Sequence, residues 1–564
     1  MATTSPLVDT RRPTPPARRR QPPWAYGALP VLVGLAVLAV GHRRRWMSDD
    51  GHIYVRTVRQ ILAGNGPVFN AGERAEASTG TLWQWLLAAA GLPGWDVATV
   101  AVYGGLLLTA AGFVLAGLGC LRLYGTSRAL PLGALVLLAL PPVWDFATSG
   151  LETGLATCWL AASWLLLTTA PGRLWTSAVL GLGPLVRPEL GLVSAVFLAA
   201  QWLTARPGRR RTLAALGAAL ATPLAYEVFR AGYYGHLVPL PGVTKEASQS
   251  LWGRGLGYLA DLANPYVLWL PALFLAAALL PARAQGPRTP LIPTLAPPVA
   301  GLLCWLYVIK VGGDFMHGRM LLPGLFLLLL PVFLVPATRP WTLAAAATAV
   351  WALVCAAFLR VPYEGRVGPG GIADERGVYV HQNAHPNPVR HTFAGAPGHA
   401  AYAAAVRRAV PPRLLLLDGP SVGGAGGAVA VGSGQVTGVH NVLGMNGTSV
   451  PLPGAALDPI GLAYPLAAHS EQQRGGRVGH DKRLPVEWIL ADRGATRLPP
   501  GVDPSGVAAA RRALACPPLA DLRAAARDPL SPGRFAANVR GAWARTMLRF
   551  PNDPREAERV LCAP

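Results

Sequence analysis

The chain has 564 residues, of which 52% are hydrophobic and only 14% are charged, and its mean hydropathy is +0.35. This balance excludes an ordinary soluble protein and is typical of a membrane protein. The formal net charge of +22 does not indicate nucleic-acid binding, because the arginines alternate with apolar runs in the pattern that orients a membrane protein.

Long apolar runs follow one another from Trp24 to Leu359 and then stop. Each has roughly the 17–25 residues that a helix needs to cross a bilayer, or slightly fewer. A further apolar piece, Thr81 to Ala90, is too short to span and is predicted to lie at the interface or to re-enter. The sequence thus predicts an α-helical polytopic membrane protein with a transmembrane domain over 24–359. Its spans, about eleven, lie near 24–41, 96–120, 129–143, 152–170, 174–186, 190–204, 212–229, 264–282, 290–309, 320–337 and 341–358.

Basic residues mark every second connection between these runs. If the N-terminal tail, residues 1–23, is cytosolic, every second connection is cytosolic as well. The tail and these connections contain one acid, Asp9, and the following arginines: Arg11, Arg12, Arg18, Arg19, Arg20, Arg122, Arg128, Arg173, Arg206, Arg209, Arg210, Arg211, Arg283, Arg288 and Arg339. This bias predicts a multi-pass plasma-membrane protein with residues 360–564 outside. The run 43–45 departs from it, and is interpreted as reaching lipid headgroups or an anionic ligand.

The outer connections carry most of the remaining polar residues. Ionisable groups are costly in hydrocarbon, so groups that converge on one face of a bundle indicate one site at the outer membrane surface. Asp49 and Asp50 are the candidate catalytic residues, since a carboxylate beside a like charge has a raised pKa, which suits a general base toward a hydroxyl. The other outer polar residues are Asp145, Glu152, Arg187, Glu189, Tyr234, Lys245, Asp314, His317 and Arg319.

Several of these candidates also have a purely structural interpretation. Asp49 or Asp50 could cap a helix that begins near His52. Arg187 and Lys245 could be interface anchors, and an ion pair with Arg187 could be the sole role of Glu189. Asp314 and His317 are three residues apart and would share a helix face if their segment is helical; hydrogen bonding is the favoured role for them over metal binding.

Residues 360–564 are rich in Gly, Pro and Ala, and are long enough for one domain with its own core. Strands at Leu414–Leu417 and Ala428–Val431 and helices at Ala400–Ala409 and Val507–Leu514 predict a small extracytoplasmic α/β cap. Cys516 and Cys562 are the only cysteines there, so a disulfide is predicted. No Cys/His spacing is typical of a zinc site, so we expect no metal or other cofactor, and no divalent cation is indicated.

The order of several motifs resembles that of the AftB-like arabinofuranosyltransferases of actinobacterial cell walls. The resemblance covers roughly residues 45–495. It rests on Asp49-Asp50, Gly64-Asn65-Gly66-Pro67 through Glu73, Ser149-Gly150-Leu151-Glu152, Arg187-Pro188-Glu189, Tyr233-Tyr234-Gly235 with Lys245, Gly312-Gly313-Asp314-Phe315-Met316 with Arg319, Asp458-Pro459-Ile460-Gly461-Leu462, and Arg477-Val478-Gly479-His480-Asp481-Lys482.

This resemblance implies a GT-C fold, a decaprenylphosphoryl-arabinofuranose donor and an arabinan acceptor in arabinogalactan or lipoarabinomannan, joined in a terminal β-(1→2) linkage. The expected partners are these two substrates and membrane lipids, with no nucleic acid. Arg187, Lys245 and Arg319 are the candidates for binding the donor phosphate, because cations stabilise a leaving phosphate. The candidates for binding sugar or acceptor are Glu152, Glu189, Tyr234, Asp314, His317 and His480.

Two stereochemical courses stay open at this point. An inverting enzyme would use an Asp to deprotonate the acceptor, whereas a β-configured donor and a β-linked product require net retention, with one Asp as nucleophile or electrostatic stabiliser. Three other functions are alternatives: a GT-C transferase for another polyprenyl-phosphate sugar such as mannose or an aminosugar, a flippase for the same lipid, and a motility-assembly role. Transporters typically have an internal repeat and midplane charges, whereas this sequence has no visible repeat between its halves and few midplane charges.

Overall fold

The computed structural model describes residues 28–126, 128–246, 249–285, 289–393, 395–416, 427–432, 434–473, 476–477 and 479–563. The predicted cytosolic tail, 1–23, lies outside these residues. Within them, the part before Leu359 contains the helices α1 Ala28–Arg43, α2 Asp49–Leu62, α3 Thr81–Gly91, α4 Val97–Tyr124, α5 Leu132–Ala139, α6 Pro141–Ala147, α7 Thr153–Thr169, α8 Leu174–Leu180, α9 Gly183–Val186, α10 Gly191–Ala205, α11 Arg209–Tyr233, α12 Leu240–Thr244, α13 Trp252–Ala263, α14 Trp269–Gln285, α15 Leu291–Lys310, α16 Leu322–Leu329 and α17 Arg339–Phe358.

Five helices of the described residues are long and apolar enough to cross a membrane: Val97–Tyr124, Pro188–Ala205, Arg209–Tyr233, Leu291–Lys310 and Arg339–Phe358. Five shorter apolar helices coincide with other predicted runs: Ala28–Arg43, Thr153–Thr169, Leu174–Val186, Trp269–Leu279 and Arg319–Val332. The run near 129–143 is instead divided into α5 and α6, because Leu140 is extended before two prolines. The eight residues of α5 reach only about 12 Å, so this run is not a single spanning helix.

Helices α4 and α7 make the most intimate packing contact of the bundle, and glycines permit it. A Cβ on Gly154 would lie 2.2 Å from the Gly105 carbonyl oxygen, and one on Gly112 would lie 2.9 Å from the backbone of residue 157. Small residues let two helix backbones approach closely in this way. The contact fixes the start of α7, where Glu152 precedes the first turn. A short antiparallel pair, β1 Ala129–Leu130 with β2 Val335–Pro336, closes the far end of the bundle.

The tail domain, residues 360–564, has the predicted α/β character. Its described sheet has the order β4-β3-β5-β6, with β3 antiparallel to β4 and parallel to β5, and β5 parallel to β6. The strands are β3 Arg413–Leu416, β4 Gly427–Ala430, β5 Thr437–Val439 and β6 Ala455–Leu457. The helices are α18 Glu375–Asn383, α19 Arg390–Phe393, α20 Pro397–Arg408, α21 Leu443–Ser449, α22 Pro465–His469, α23 Val486–Asp492, α24 Pro504–Ala515, α25 Pro517–Arg527, α26 Pro532–Met547 and α27 Pro554–Leu561.

The predicted strands and helices of the tail domain are confirmed, and the structure joins Cys516 to Cys562 in a disulfide. The tail domain has its own buried core, centred on residues such as Trp488 and Tyr464. A larger apolar core fills the helical bundle and extends to Tyr363. The chain therefore has two packed units, and the polar residues of interest lie where they meet.

Helix α2 is the element that joins the two units. Arg56 is fully buried and donates hydrogen bonds to the carbonyl oxygens of Phe69 (2.9 Å), Gly447 (2.8 Å), Val450 (2.6 Å) and Gly454 (2.9 Å). At the N-terminal end of α2, α21 approaches so closely that a Cβ on residue 444 would lie 1.8 Å from the Asp49 carbonyl oxygen. The tail domain is thus held at the N-terminal end and at the middle of the helix that carries the Asp pair.

Candidate active site

The Asp pair occupies the first two positions of α2. Ser48 is the N-cap, because its Oγ accepts a hydrogen bond from the Gly51 N–H at 3.0 Å. The alternative that an Asp caps a helix beginning near His52 is therefore wrong. The helix begins at Asp49, and both carboxylates are left for other contacts.

The two carboxylates differ in their surroundings. Asp49 accepts hydrogen bonds from the backbone N–H groups of Gly444 (3.1 Å) and Met445 (2.7 Å) in the tail domain. Burial, and to a lesser extent the nearby charge of Asp50, raise the pKa of Asp49 from 3.8 to about 7 against the effect of these hydrogen bonds. Asp50 instead faces Arg319, whose Nη1 lies 3.3 Å from Oδ2. Both carboxylates line a cavity between the bundle and the tail domain, but the tail-domain backbone holds Asp49, whereas the 3.3 Å contact with Arg319 holds Asp50.

The predicted phosphate-binding cations lie near this pair. Arg319 donates from Nε to Asp314 Oδ2 at 2.6 Å, and the Nζ of Lys245 lies 3.7 Å from Asp314 Oδ1. Burial alone would raise the pKa of Asp314, but the charges of Arg319 and Lys245 outweigh it and hold that pKa below its ordinary value. Lys245 has the longest of these contacts and a side chain that is 26% exposed, so it is the cation most available to a new anion.

Arg187 lies between two carboxylates. It donates to both Glu152 and Glu189, so the predicted pairing of Arg187 with Glu189 is confirmed. Glu152 also accepts a hydrogen bond from the hydroxyl of Tyr54 at 2.8 Å. Arg187 therefore orients two acids on the wall of the site, and its third guanidinium nitrogen, Nη2, donates to Met320 Sδ at 2.9 Å, so all three nitrogens have partners.

Two cavities open onto these residues. The first has a volume of about 610 Å³ and is lined by Asp50, Glu152 and the three candidate phosphate-binding residues Arg187, Lys245 and Arg319. Most of its other lining is apolar, and it includes residues 237–239, 543 and 547. We call it the apolar cavity. The second, of about 440 Å³, is lined by polar groups from the bundle and the tail domain, among them His480, and we call it the polar cavity. Asp50, Lys245 and Leu462 line both, so the cavities adjoin at Asp50.

His317 lies outside both of these cavity linings. Its Nδ1 lies 2.6 Å from Asp261 Oδ2, and its Nε2 lies 3.0 Å from the hydroxyl of Tyr266. The expectation that it shares a helix face with Asp314 is wrong, because residues 313–318 form a loop in which Gly313 and Gly318 have positive φ. The local spacing therefore does not bring these two side chains to one site.

Tyr234 and His480 have opposite outcomes. Tyr234 is buried, and its hydroxyl donates to the Pro67 carbonyl oxygen at 2.7 Å, so the structure gives it a packing contact outside both cavity linings. His480 lies on the polar cavity, and its ring packs edge-to-face on Phe315 with centroids 4.7 Å apart. The predicted sugar-contact set is thus reduced to residues 152, 189, 314 and 480 as cavity-lining members.

The sequence did not reveal several residues of the polar cavity. Glu375, at the start of α18, is buried, with only 8% of its surface exposed. Its Oε2 has no hydrogen-bond partner among the described residues. Burial, reinforced by the charge of Asp50, raises the pKa of Glu375 well above its ordinary value. Arg477 and Lys482 also line the cavity. They are the first and last residues of a motif identified in the sequence, whereas no local pattern marks Glu375.

The basic run after α1 has a defined role in the described structure. Arg44 donates from Nη2 to Asp145 Oδ1 at 2.8 Å, and its own carbonyl oxygen accepts from Arg376 Nε at 3.0 Å. The anionic group near this run is therefore a side chain of the same protein. Among the residues that the structure describes, no group of three or more His, Cys, Asp and Glu side chains is arranged to hold a metal ion. The expectation of a metal-free enzyme stays a prediction.

Comparison with known proteins agrees with the motif order. Residues 428–559 match a family model described as the AftB family C-terminal domain. A terminal β-(1→2)-arabinofuranosyltransferase of Mycobacterium tuberculosis is 36% identical over 92% of this chain and 94% of its own length. The enzyme of the same name from Corynebacterium glutamicum is 36% identical over 91% of this chain and 84% of its own length. No solved structure gives a significant match. The chain therefore belongs to the AftB family of terminal β-(1→2)-arabinofuranosyltransferases, which confirms the resemblance inferred from its motifs.

Proposed function

We propose that this protein transfers arabinofuranose from decaprenylphosphoryl-arabinofuranose to the arabinan of arabinogalactan or lipoarabinomannan, forming a terminal β-(1→2) linkage at the outer face of the plasma membrane. The observation that carries the proposal is the meeting of an apolar and a polar cavity at Asp50. A lipid phosphate needs apolar walls beside a cation, whereas a glycan needs hydrogen-bonding groups. One carboxylate between the two is the arrangement that a lipid-to-glycan transfer requires.

The donor phosphate binds at Lys245 and Arg319 in this proposal. Lys245 lines both cavities and is only loosely paired with Asp314, so it contributes a point charge to a leaving phosphate. Arg319 is more tightly held, and it sets the position of Asp50 through the 3.3 Å contact. Arg187 keeps Glu152 ionised and oriented toward the sugar.

Asp50 is the reacting carboxylate. In an inverting displacement, which gives the β linkage only from an α-configured donor, the acceptor hydroxyl oxygen bonds the anomeric carbon and the bond from that carbon to the phosphate oxygen breaks. Asp50 takes the hydroxyl proton, and decaprenyl phosphate leaves with the electron pair. In a net-retaining course Asp50 first bonds the anomeric carbon as phosphate leaves, and the acceptor hydroxyl then displaces it and transfers its proton to a second base. Isolation of a glycosyl ester on the peptide that contains Asp50 identifies the second course.

The fold and orientation belong to the same proposal. The protein is of the GT-C type with about eleven spans, in which α5 and α6 together make one crossing; its N-terminus is cytosolic, and the tail domain lies outside. The alternating arginines support this orientation, and so does the position of the cavities at the junction with the tail domain. A cysteine introduced at the exposed position Arg555 tests this orientation. It should react with an impermeant reagent on intact cells, and a cysteine at position 209 should not.

The decisive experiment is a transfer assay with purified protein, radiolabelled donor and a synthetic arabinan acceptor, followed by linkage analysis of the product. A terminal β-(1→2)-arabinofuranosyl product supports the proposal. Transfer only from a polyprenyl-phosphate mannose or aminosugar would assign another GT-C activity. Movement of the donor across a vesicle membrane without glycan product would assign a flippase.

A further inference from the structure

Helix α26 of the tail domain lies along the connection between α11 and α12. The Asn538 side-chain amide donates to the Gly232 carbonyl oxygen at 2.9 Å, Arg545 Nε donates to the Gly235 carbonyl oxygen at 2.9 Å, and Thr546 Oγ1 accepts from the Leu237 N–H at 2.9 Å. Phe535 packs so closely that a Cβ on Gly232 would lie 2.1 Å from its ring. The helix is therefore fixed at the end of a long apolar helix.

The opposite face of α26 is apolar and exposed. Val539, Trp543 and Met547 recur every four residues, so they form one stripe, and they are 42%, 67% and 57% exposed. The neighbouring α11 also exposes apolar side chains along its length, at Leu213, Leu216, Leu220, Leu224 and Val228. A tryptophan in such a position is typical of the membrane–water interface. The stripe thus continues the lipid-facing surface of α11.

The stripe also reaches the apolar cavity, but only with its C-terminal part. Trp543 and Met547 line the cavity together with Leu237, Val238 and Pro239, whereas Val539 does not. Of the charged residues that line this cavity, Asp50 and Lys245 also line the polar cavity. One continuous space therefore leads from exposed apolar side chains of the tail domain to the cation that is available for a phosphate.

We propose that Trp543 and Met547 form a binding site for the isoprenoid hydrocarbon of the lipid donor, so that the tail domain selects the donor by its lipid chain. This inference rests on the proposed function for the identity of the phosphate-linked sugar. The site holds the isoprene units next to the phosphate, because Lys245 and Trp543 line the same cavity. The flat indole ring and the flexible thioether suit a branched, unsaturated chain.

The test compares two donors that carry the same sugar phosphate, one on decaprenyl and one, the short donor, on a methyl group that contains no isoprene unit, with the protein in lipid nanodiscs. Trp543→Ala should raise the KM for the decaprenyl donor roughly tenfold, the scale expected for loss of one large apolar contact, and leave kcat unchanged. The KM for the short donor should change less than about twofold by the same reasoning. Met547→Ala should act in the same direction, and Trp543→Phe should restore most of the loss.

Val539→Ala is the matched control, because it removes apolar surface from the same stripe without touching the cavity. It should leave both KM values unchanged. Equal changes for both donors, or no change with Trp543→Ala, would overturn the inference, and a parallel loss in Val539→Ala would assign the stripe to membrane anchoring alone. Binding of sugar-free decaprenyl phosphate is measured in the same variants. If the wild type binds this lipid but transfers no arabinose, the proposed function fails while the lipid site is still tested.

Discussion

Asp49→Asn removes a charge that is buried between α2 and the tail domain, and its effect on stability should depend on pH. The pKa of Asp49 is raised from 3.8 to about 7, mainly by burial. The folded protein thus binds this proton more tightly than the unfolded chain. The stabilisation is complete below about pH 4, decreases as pH rises toward 7, and changes no further above that. The roughly three pH units between the two values correspond to roughly 4 kcal/mol.

The substitution also has a cost that does not depend on pH. An Asn keeps one side-chain oxygen, so it retains one of the two hydrogen bonds to Gly444 and Met445, and the lost bond costs about 1 kcal/mol. At pH 5 the free energies of unfolding of the variant and the wild type should therefore be similar. At pH 8 the variant should be more stable by roughly 2–3 kcal/mol, because only the wild type must keep the charge buried.

The measurement is the thermal unfolding midpoint of purified protein in nanodiscs at half-unit steps from pH 5 to 8. Asp528→Asn is the control, since its side chain is 54% exposed, and its curve should run parallel to that of the wild type. The quantity of interest is the difference in midpoint between Asp49→Asn and the wild type. If that difference is the same at pH 5 and pH 8, Asp49 is not the buried, proton-binding group described above.

Four further predictions concern other residues of the site. Asp50→Asn should lower turnover by at least roughly 10²-fold while Asp49→Asn stays within tenfold of the wild type; equal transfer rates in both would contradict the assignment of Asp50. Lys245→Met should raise the donor KM more than the acceptor KM in steady-state kinetics, and an unchanged donor KM would leave this residue as an anchor. Glu375→Leu should raise the acceptor KM and leave donor binding intact, whereas an unaltered acceptor KM would remove Glu375 from the polar cavity's function. Arg56→Met should destabilise the protein by several kcal/mol, because four carbonyl oxygens lose their donor, and rapid proteolysis of the tail domain is the readout; wild-type resistance would show that the contact is dispensable.

The sequence predicted the site where alternation along the chain determines position. Asp50, Arg187 and Lys245 follow or precede apolar runs on one side of the bundle, and helices of similar length place such residues at one level. The positive-inside pattern predicts the side of the membrane, and the motif order indicated the family. These inferences need only the order and direction of the apolar helices, which follow from the hydropathy pattern.

The remaining features depend on contacts between distant segments or on loop conformation. The roles of Glu375 and Arg56 depend on packing between α2 and the tail domain, and no local sequence pattern predicts either role. His317 was misassigned because the glycines beside it take positive φ and end the helical spacing. Tyr234 turns inward to a backbone carbonyl, a contact that polarity and position alone do not predict.

The hydrogen bond from the Met445 N–H to Asp49 joins residues 396 positions apart in the chain. The walls of the polar cavity come from both of these regions. During synthesis, the helix that carries Asp50 is made early and the segments that enclose it are made last. A ribosome-bound or truncated chain therefore has the acid but lacks half of its enclosure. The polar cavity is therefore complete only when the residues after position 360 that line it have folded against the bundle.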